Sequence, residues 1–370
     1  MSRLHPSVAG GGSAPPAAIP ARDGGADALS AARRIAVRAV VFAFALAVCL
    51  VATELALRAL SKHALLVFDV EMWRYARRVK APSELPGLIE AHRPDARALL
   101  MGVAVRTDGY GFRRPSPAIE AARRPDDRRV AALGDSVTFG WGVPEGATWP
   151  ARLEALLRER CPEAPATVWN AGVGNSTTAM QLARYEHLVA PRRPDWLVLG
   201  YFVNDAEPDP EPAEHPLLWR SSLAALLSAR LAQSRDGALR DYREFYGSLY
   251  EDGQPGWRAT REALAGLGRR LEADGVAATL LLLPEMHHPR GHGPFAGAYA
   301  EVAAIGRAAG FEVIDTAPLF PPGPGDRFFV TPTDAHPDAA AHALFAQAAA
   351  GSRHACPGGA TAVSQAKTSR

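Results

Sequence analysis

Cysteine is scarce in this chain. Cys49, Cys161 and Cys356 are its only thiols among 370 residues, too few and too scattered for a disulfide scaffold or a zinc cluster. Cys161 and Cys356 can pair in an oxidising compartment, but two unpaired thiols is the favoured reading. A surplus of either charge is also missing, since 41 Lys and Arg against 39 Asp and Glu leave a formal net charge of +2. Sequence-independent nucleic-acid binding needs dense positive charge, so no nucleic-acid partner is expected. Internal repeats are absent, which excludes repeat architectures. What is present is ordinary: 48% hydrophobic and 22% charged residues support a sizeable core and exclude global disorder. Glycine (33) and proline (31) are abundant and gather at both ends and in loops.

Residues 1–32 are mostly Gly, Ala, Pro and Ser, a composition unable to offset the entropy of ordering its backbone, so a disordered arm is expected. Arg33, Arg34 and Arg38 then lead into an uncharged apolar stretch, Ala39 to Thr53, that continues past Glu54 to Leu57. At ~1.5 Å per residue the longer run is about 28 Å, against a hydrocarbon thickness of ~30 Å. A membrane anchor helix over 33–60 is the expectation, with a cleaved signal peptide and a buried core helix as alternatives. The preceding arginines fit the positive-inside rule, and no convincing small-x-small cleavage site follows the apolar run. The chain is thus expected to be a single-pass protein of the inner (cytoplasmic) membrane, its bulk exported to the periplasm or cell exterior. Glu54 can snorkel toward water. Leu46 to Cys49 is not taken as a lipidation site, because Val48 is too bulky before the cysteine.

Residues 61–128 mix short apolar runs with Pro and Arg and read as a linker and domain preface, with one strand-like segment from Val103 to Phe112. From 129 the pattern alternates strand and helix. Strands are expected near 130–133, 167–169, 196–202, 277–283 and 311–314. Helices are expected near 149–160, 178–189, 219–233, 238–248, 257–273 and 339–350. Five strands with intervening helices imply an α/β protein, a three-layer α/β/α sandwich on a five-stranded parallel sheet over residues 129–350. Residues 351–370 resemble the N-terminal arm in composition and are expected to be disordered.

Reactive groups in such a sheet collect at the carboxyl ends of the strands. The first strand ends in Gly134-Asp135-Ser136-Val137, which places a serine hydroxyl just beyond a buried strand, where a nucleophile is expected. The second ends in Asn170-Ala171-Gly172-Val173-Gly174-Asn175-Ser176-Thr177, and the third runs into Asn204-Asp205. Backbone N–H groups of Gly174 and Asn175 and the Asn204 side-chain amide can receive an oxyanion. Near the end comes Thr333-Asp334-Ala335-His336-Pro337-Asp338, with a carboxylate beside a histidine as a general base requires.

These four motifs together resemble the GDSL/SGNH hydrolase superfamily over residues 129–350. The resemblance implies a flavodoxin-like sandwich and ester hydrolysis without metal or organic cofactor. It implies Ser136 as nucleophile, His336 as general base and Asp334 as the acid that orients the imidazole. The oxyanion hole it implies comprises the Ser136 N–H, an N–H from Gly174 or Asn175, and the Asn204 amide, while Asp135 holds the turn. In the family the acid lies three residues before the histidine, which is Thr333 here. Asp334 lies two before it, and Asp338 or a backbone carbonyl are substitutes. The family's oxyanion glycine aligns best with Asn175, with Gly174 one residue earlier.

The expected function is a serine esterase acting through an acyl-enzyme on acyl esters of a cell-envelope carbohydrate or lipid. An O-acyltransferase of the same fold, or a catalytically silent envelope scaffold or glycan-binding module, are the alternatives. The His287, His288 and His292 cluster lacks ligand spacing on a helix and reads as a solvated loop at the site rim rather than a metal centre. The pairs Arg113-Arg114, Arg123-Arg124 and Arg192-Arg193 read as solvated faces. Leu217, Leu218, Trp219, Leu223, Leu226 and Leu227 form an apolar stripe expected to pack on the sheet.

Overall fold

The computed structural model describes residues 24–60, 68–210, 221–235 and 242–357. Expectations for 1–23, 61–67, 211–220, 236–241 and 358–370 lie outside the described residues, among them those for Leu217, Leu218 and Trp219. The chain divides into two units between Leu55 and Ala56. Helix α1 (Gly24–Leu60) starts earlier than residue 33, because Ala26, Ala28, Leu29, Ala31 and Ala32 are good helix formers. The disordered-arm reading therefore fails for 24–32. Ser30–Ala59 has a mean hydropathy of 2.6 and exposes Phe42 and Phe44 by 70% and 71%, so the helix is long and apolar enough to span a membrane. Thr53 Oγ1 donates to Cys49 O at 2.8 Å, which satisfies its hydroxyl within the helix.

The segment from residue 68 to 128, read as linker and domain preface, is folded. Helix α2 (Phe68–Arg78) is followed by two antiparallel pairs, β1 (Lys80–Pro82) with β2 (Glu90–His92), and β3 (Arg97–Leu100) with β4 (Val103–Arg106), and by α3 (Pro117–Ala121). Met101 and Gly102, both at positive φ, turn the second pair. The buried Glu71 carboxylate of α2 accepts from Met101 N at 2.7 Å and pins that turn to the helix. Tyr75, Val79, Leu100, Met101 and Val105 form a core of their own that takes in Phe139 and Trp141. Strands of three or four residues are too short for a periodicity to be read.

The main sheet holds β5 (Arg128–Gly134), β6 (Ala166–Asn170), β7 (Trp196–Tyr201), β8 (Ala277–Leu282) and β9 (Glu312–Asp315), all parallel, in the order β6-β5-β7-β8-β9. Between them run α4 (Ser136–Phe139), α5 (Trp149–Arg160), α6 (Thr178–Arg184), α7 (Ser222–Arg235), α8 (Tyr242–Ser248), α9 (Pro255–Asp274) and α10 (Ala296–Ala308). After β9 come the antiparallel pair β10 (Phe329–Thr331) and β11 (Asp334–Pro337), and then α11 (Ala339–Ala349). Alternate strand residues face opposite helix layers. Leu197, Leu199 and Leu280 pack with α9 and α10 through Leu264, Leu267, Tyr299 and Val302. Val130, Val198 and Leu281 pack with α5 and α11 through Leu153, Leu157 and Phe345. The expected three-layer sandwich is present, with the 2-1-3-4-5 strand order of flavodoxin-like sheets, whose crevice opens where the order reverses, between β5 and β7. The helix expected over 178–189 is α-helical to Arg184 and closes in a wider π turn, Tyr185–Val189, that buries Tyr185 and Val189. In the expected apolar stripe, Leu223 and Leu226 are half-buried and Leu227 is exposed.

Residues 351–357 belong to the fold, contrary to the expected tail. Cys161 and Cys356 form a disulfide across 195 residues, so the free-thiol reading is corrected. Their proximity is invisible in sequence, since it follows from α5 and α11 packing together. Arg128 also donates to His354 O and Ala355 O, at 2.6 and 2.8 Å. Loss of a bridge over so long a loop is expected to cost about 2–4 kcal/mol. Dithiothreitol should lower the Tm of the wild type in a thermal melt, and a Cys161→Ser/Cys356→Ser variant should melt at the lower temperature with or without reductant.

Candidate active site

The turn after β5 admits only a narrow range of residues. Gly134 has φ +149°, and a Cβ there would lie 2.1 Å from Thr138 Oγ1 and 2.7 Å from Gly200 O, so a side chain is excluded. Asp135 caps α4, its Oδ1 accepting from Val137 N at 2.9 Å. Ser136 is the first residue of that single turn. The Arg113 guanidinium donates to the carbonyls of Phe139, Gly140 and Val143 at 2.7, 2.6 and 2.7 Å, satisfying groups a short helix leaves open. Arg113 is therefore buried, and the solvated-face reading fails there. Arg123 likewise pairs with the buried Glu154, and Arg192 lies over the Tyr110 ring.

Strand β11 brings the histidine to the same rim. His336 Nε2 lies 2.9 Å from Ser136 Oγ across 200 residues of sequence. On its other side Nδ1 lies 2.6 Å from Asp334 Oδ1, which also accepts from the His336 backbone N–H at 3.1 Å. The Trp141 indole N–H donates to Asp334 Oδ2 at 3.0 Å. Burial alone would raise the Asp334 carboxyl, but the His336 hydrogen bonds and charge and the Trp141 N–H outweigh it and hold the group below the usual carboxylate range. The two-residue spacing thus brings the carboxylate to the ring. Asp338, the alternative acid, instead caps α11 by accepting from Ala340 N and Ala341 N. Phe68 stacks over His336 at 6.1 Å between centroids.

Ser136 Oγ has a second acceptor, Asp135 Oδ2 at 3.2 Å. Burial raises the Asp135 carboxyl against the opposing Val137 N–H, His336, Ser136 and the Asn204 side chain, which hydrogen-bonds it from the turn after β7. Asp205 beside it is pushed well above the carboxylate range by burial and then by the charge of Asp135. It accepts from Gln181 Nε2 at 3.1 Å and Phe202 N at 3.3 Å.

The turn after β6 is held on all sides. Asn170 Oδ1 accepts from Gly172 N and its amide donates to Phe139 O, while Val173 N donates to Gly134 O at 3.1 Å. Gly174 N donates to the Tyr75 hydroxyl at 2.8 Å. Asn175 adopts φ +57°, and among the described residues its backbone N–H donates to none. Of the two candidate backbone donors, the Gly174 N–H is taken and the Asn175 N–H is open.

Phe68, Phe202, Asn204, Tyr246, Glu285 and His336 border a pocket of about 250 Å³ beside the serine. Tyr75, Trp141, Phe68, Arg113 and Glu285 were not singled out for the site from sequence. The position of Trp141, shortly after Ser136, was the one available signal; Phe68 and Tyr75 lie in a segment with no readable period. Of the histidine cluster, His292 is buried, bonded to Asp315 Oδ1 at 2.9 Å and stacked on Tyr299, so the solvated-loop reading fails for it. His287 pairs with Glu285. Among the described residues no group of three His, Cys, Asp or Glu is placed to hold a metal ion.

The profile of the GDSL-like Lipase/Acylhydrolase family matches residues 132–344. No curated protein gives a significant match. Similar solved structures include a putative lipolytic protein of the G-D-S-L family from Desulfitobacterium hafniense, at 14% identity and TM-score 0.39, covering 60% of this chain and 98% of that one. An acetylxylan esterase from Geobacillus stearothermophilus is similar at 18% identity and TM-score 0.39, covering 63% and 96%. A two-domain esterase active on acetylated mannans is similar at 18% identity and TM-score 0.40, covering 63% of this chain and 50% of that one.

The two perturbed carboxylates give opposite pH signatures. Asp334 is depressed, so its contribution to stability is complete above ~3.9, the unfolded value, and is lost as pH falls through its lower folded value. Asp205 is raised, so its contribution is complete below ~3.9 and is lost as pH rises through its folded value. In urea unfolding at stepped pH, Asp334→Asn should be less stable than wild type at pH 7, by about 1–3 kcal/mol, with the gap closing below pH 4. Asp205→Asn, which removes the ionisable group, should gain on the wild type as pH rises from 4 to 7.

Proposed function

As the chain belongs to the GDSL-like lipase/acylhydrolase family and is an ester-hydrolysing serine hydrolase, we propose that it deacylates a cell-envelope carbohydrate or lipid through an acyl-enzyme on Ser136. The observation that carries this reading is the unbroken line from Ser136 Oγ through the His336 ring to Asp334, at 2.9 and 2.6 Å. Ser136 Oγ attacks the acyl carbonyl carbon while its proton passes to His336 Nε2, and the carbonyl electron pair moves onto oxygen. Asp334 keeps the proton on Nδ1, so that Nε2 presents a lone pair, and stabilises the imidazolium. Collapse of the tetrahedral intermediate breaks the bond to the alcohol oxygen, which leaves with the proton from Nε2. Water, deprotonated by His336, then releases the acid and restores Ser136.

The developing oxyanion is received by the backbone N–H groups of Ser136 and Asn175 and by the Asn204 amide; Gly174 is not a donor in this scheme, because its N–H is held by Tyr75. Each preorganised donor is worth about 10²–10³ in rate. Asp135 holds the nucleophile turn rather than reacting. Helix α1 serves as a single-pass anchor in the inner membrane, with Arg33, Arg34 and Arg38 on the cytoplasmic side. The Cys161–Cys356 disulfide supports a catalytic unit on the oxidising side, in the periplasm or beyond.

The test uses purified full-length protein with an aryl acetate and with an acetylated oligosaccharide. Ser136→Ala and His336→Ala should each lower kcat by roughly 10⁴–10⁶ with melting temperatures near that of the wild type, and Asp334→Asn should lower it by about 10⁴ with a melting temperature several degrees lower. Free acid should be the main product even with an unacylated oligosaccharide present. Transfer product outrunning free acid would overturn hydrolysis as the natural reaction, and wild-type rates surviving in Ser136→Ala would overturn the nucleophile.

A further inference from the structure

The turn that carries the Asn175 donor is held from outside the sheet, by a chain of three hydrogen bonds in which every atom has one permitted role. Gly111 O only accepts, so His92 Nδ1, 3.0 Å away, carries the ring proton. The neutral ring then offers a lone pair at Nε2, which accepts the Tyr75 hydroxyl at 2.6 Å. The Tyr75 oxygen is left with acceptor capacity only and takes the Gly174 N–H at 2.8 Å. Protonation states agree with this assignment. Burial raises the Tyr75 phenol, outweighing the Gly174 N–H, and burial, followed by the charge of Arg184, holds His92 well below its ordinary value. The hydroxyl and the neutral imidazole are therefore the forms present at neutral pH.

Steric contact adds to the hydrogen bonds. A Cβ on Gly174 would lie 2.9 Å from Tyr75 Cε1, so the aromatic ring sits directly against the backbone it holds. The same ring packs on Phe139 and Trp141, at 5.2 and 5.7 Å between centroids, and Trp141 is the donor to Asp334. None of Tyr75, His92 and Gly111 belongs to the parallel sheet or to the region matched by the family profile, which begins at residue 132.

We propose that Tyr75, oriented by His92, is a positioning residue that fixes the Val173–Gly174 peptide and, through Gly174, holds the adjoining Asn175 N–H toward the oxyanion. The proposal rests on the serine-esterase reading. Under it, the folded segment from residue 68 to 112 is part of the catalytic apparatus although it supplies no reacting atom. Removing the Tyr75 oxygen leaves the Gly174 N–H without its acceptor and frees the Val173–Gly174 peptide, which lets the adjoining Asn175 N–H swing away and weakens binding of the transition state more than binding of the ester.

The test compares full-length wild type with Tyr75→Phe, His92→Ala and the double variant. Tyr75→Phe should lower kcat on an aryl acetate about 10- to 100-fold with KM within about threefold. Affinity for a trifluoromethyl ketone, which mimics the tetrahedral intermediate, should fall by a similar factor. His92→Ala should act in the same direction, and the double variant should be no worse than the more impaired single one, since both act through one contact. Amide hydrogen exchange at Gly174, read by peptide mass spectrometry, should speed up in Tyr75→Phe while exchange in β5 and β7 stays as in wild type. Unchanged kcat and ketone affinity in Tyr75→Phe would overturn the proposal, as would a loss confined to KM or one that tracks exchange across the whole sheet. Wild type that turns over no ester would overturn the esterase reading itself, whereas an active wild type with unaltered Gly174 exchange in Tyr75→Phe would overturn the positioning contact alone.

Discussion

The hydrogen bond between Ser136 and His336 closes a loop of 200 residues, and most of the sheet and both helix layers lie within that loop. A contact so distant in sequence cannot be established locally; it needs the whole parallel sheet in register, because Ser136 hangs from the end of β5 and His336 from a short antiparallel pair after β9. The reversal of strand order between β5 and β7 supplies the crevice, and the rest of the reactive line is short-range. Asp334 reaches the ring from two residues away, and Asp135 caps the turn on which the serine stands.

Around that line the buried charges are arranged in opposite senses. Asp334 has a partner for each oxygen, His336 and Trp141, and stays ionised beside the imidazole. Asp135 and Asp205, buried next to one another, are both pushed upward by burial. Arg113 neutralises three carbonyl dipoles at the end of α4 rather than any carboxylate. The turn that carries Ser136 is thus fixed by burial and hydrogen bonds, and under the proposed mechanism little reorganisation is required when charge develops on the substrate oxygen.

The central parallel strands were legible in the sequence because they are near-continuous aliphatic runs, as burial on both faces demands, and Leu197 to Leu199 and Leu280 to Leu283 illustrate it. Ser136, Asn204 and His336 were legible because each follows or flanks such a run at a strand end or before the last helix. The segment from residue 68 to 112 was not, since three- and four-residue strands interrupted by Pro and Arg carry no period. The contributions of Tyr75, His92 and Phe68 were hidden with it. The choice between Gly174 and Asn175 was also out of reach, because it depends on which N–H meets the Tyr75 hydroxyl. The disulfide was missed because nothing in the spacing of Cys161 and Cys356 indicates that α5 and α11 pack side by side.

The proposed chemistry depends on where an electrophile is captured and which donors receive its oxygen. A crystal structure of the protein after reaction with an alkyl fluorophosphonate measures both. Phosphorus should be bonded to Ser136 Oγ, with the phosphoryl oxygen about 3 Å from the backbone nitrogens of Ser136 and Asn175 and Gly174 N still on Tyr75. An adduct on another residue, or a phosphoryl oxygen turned away from Asn175, would contradict that chemistry.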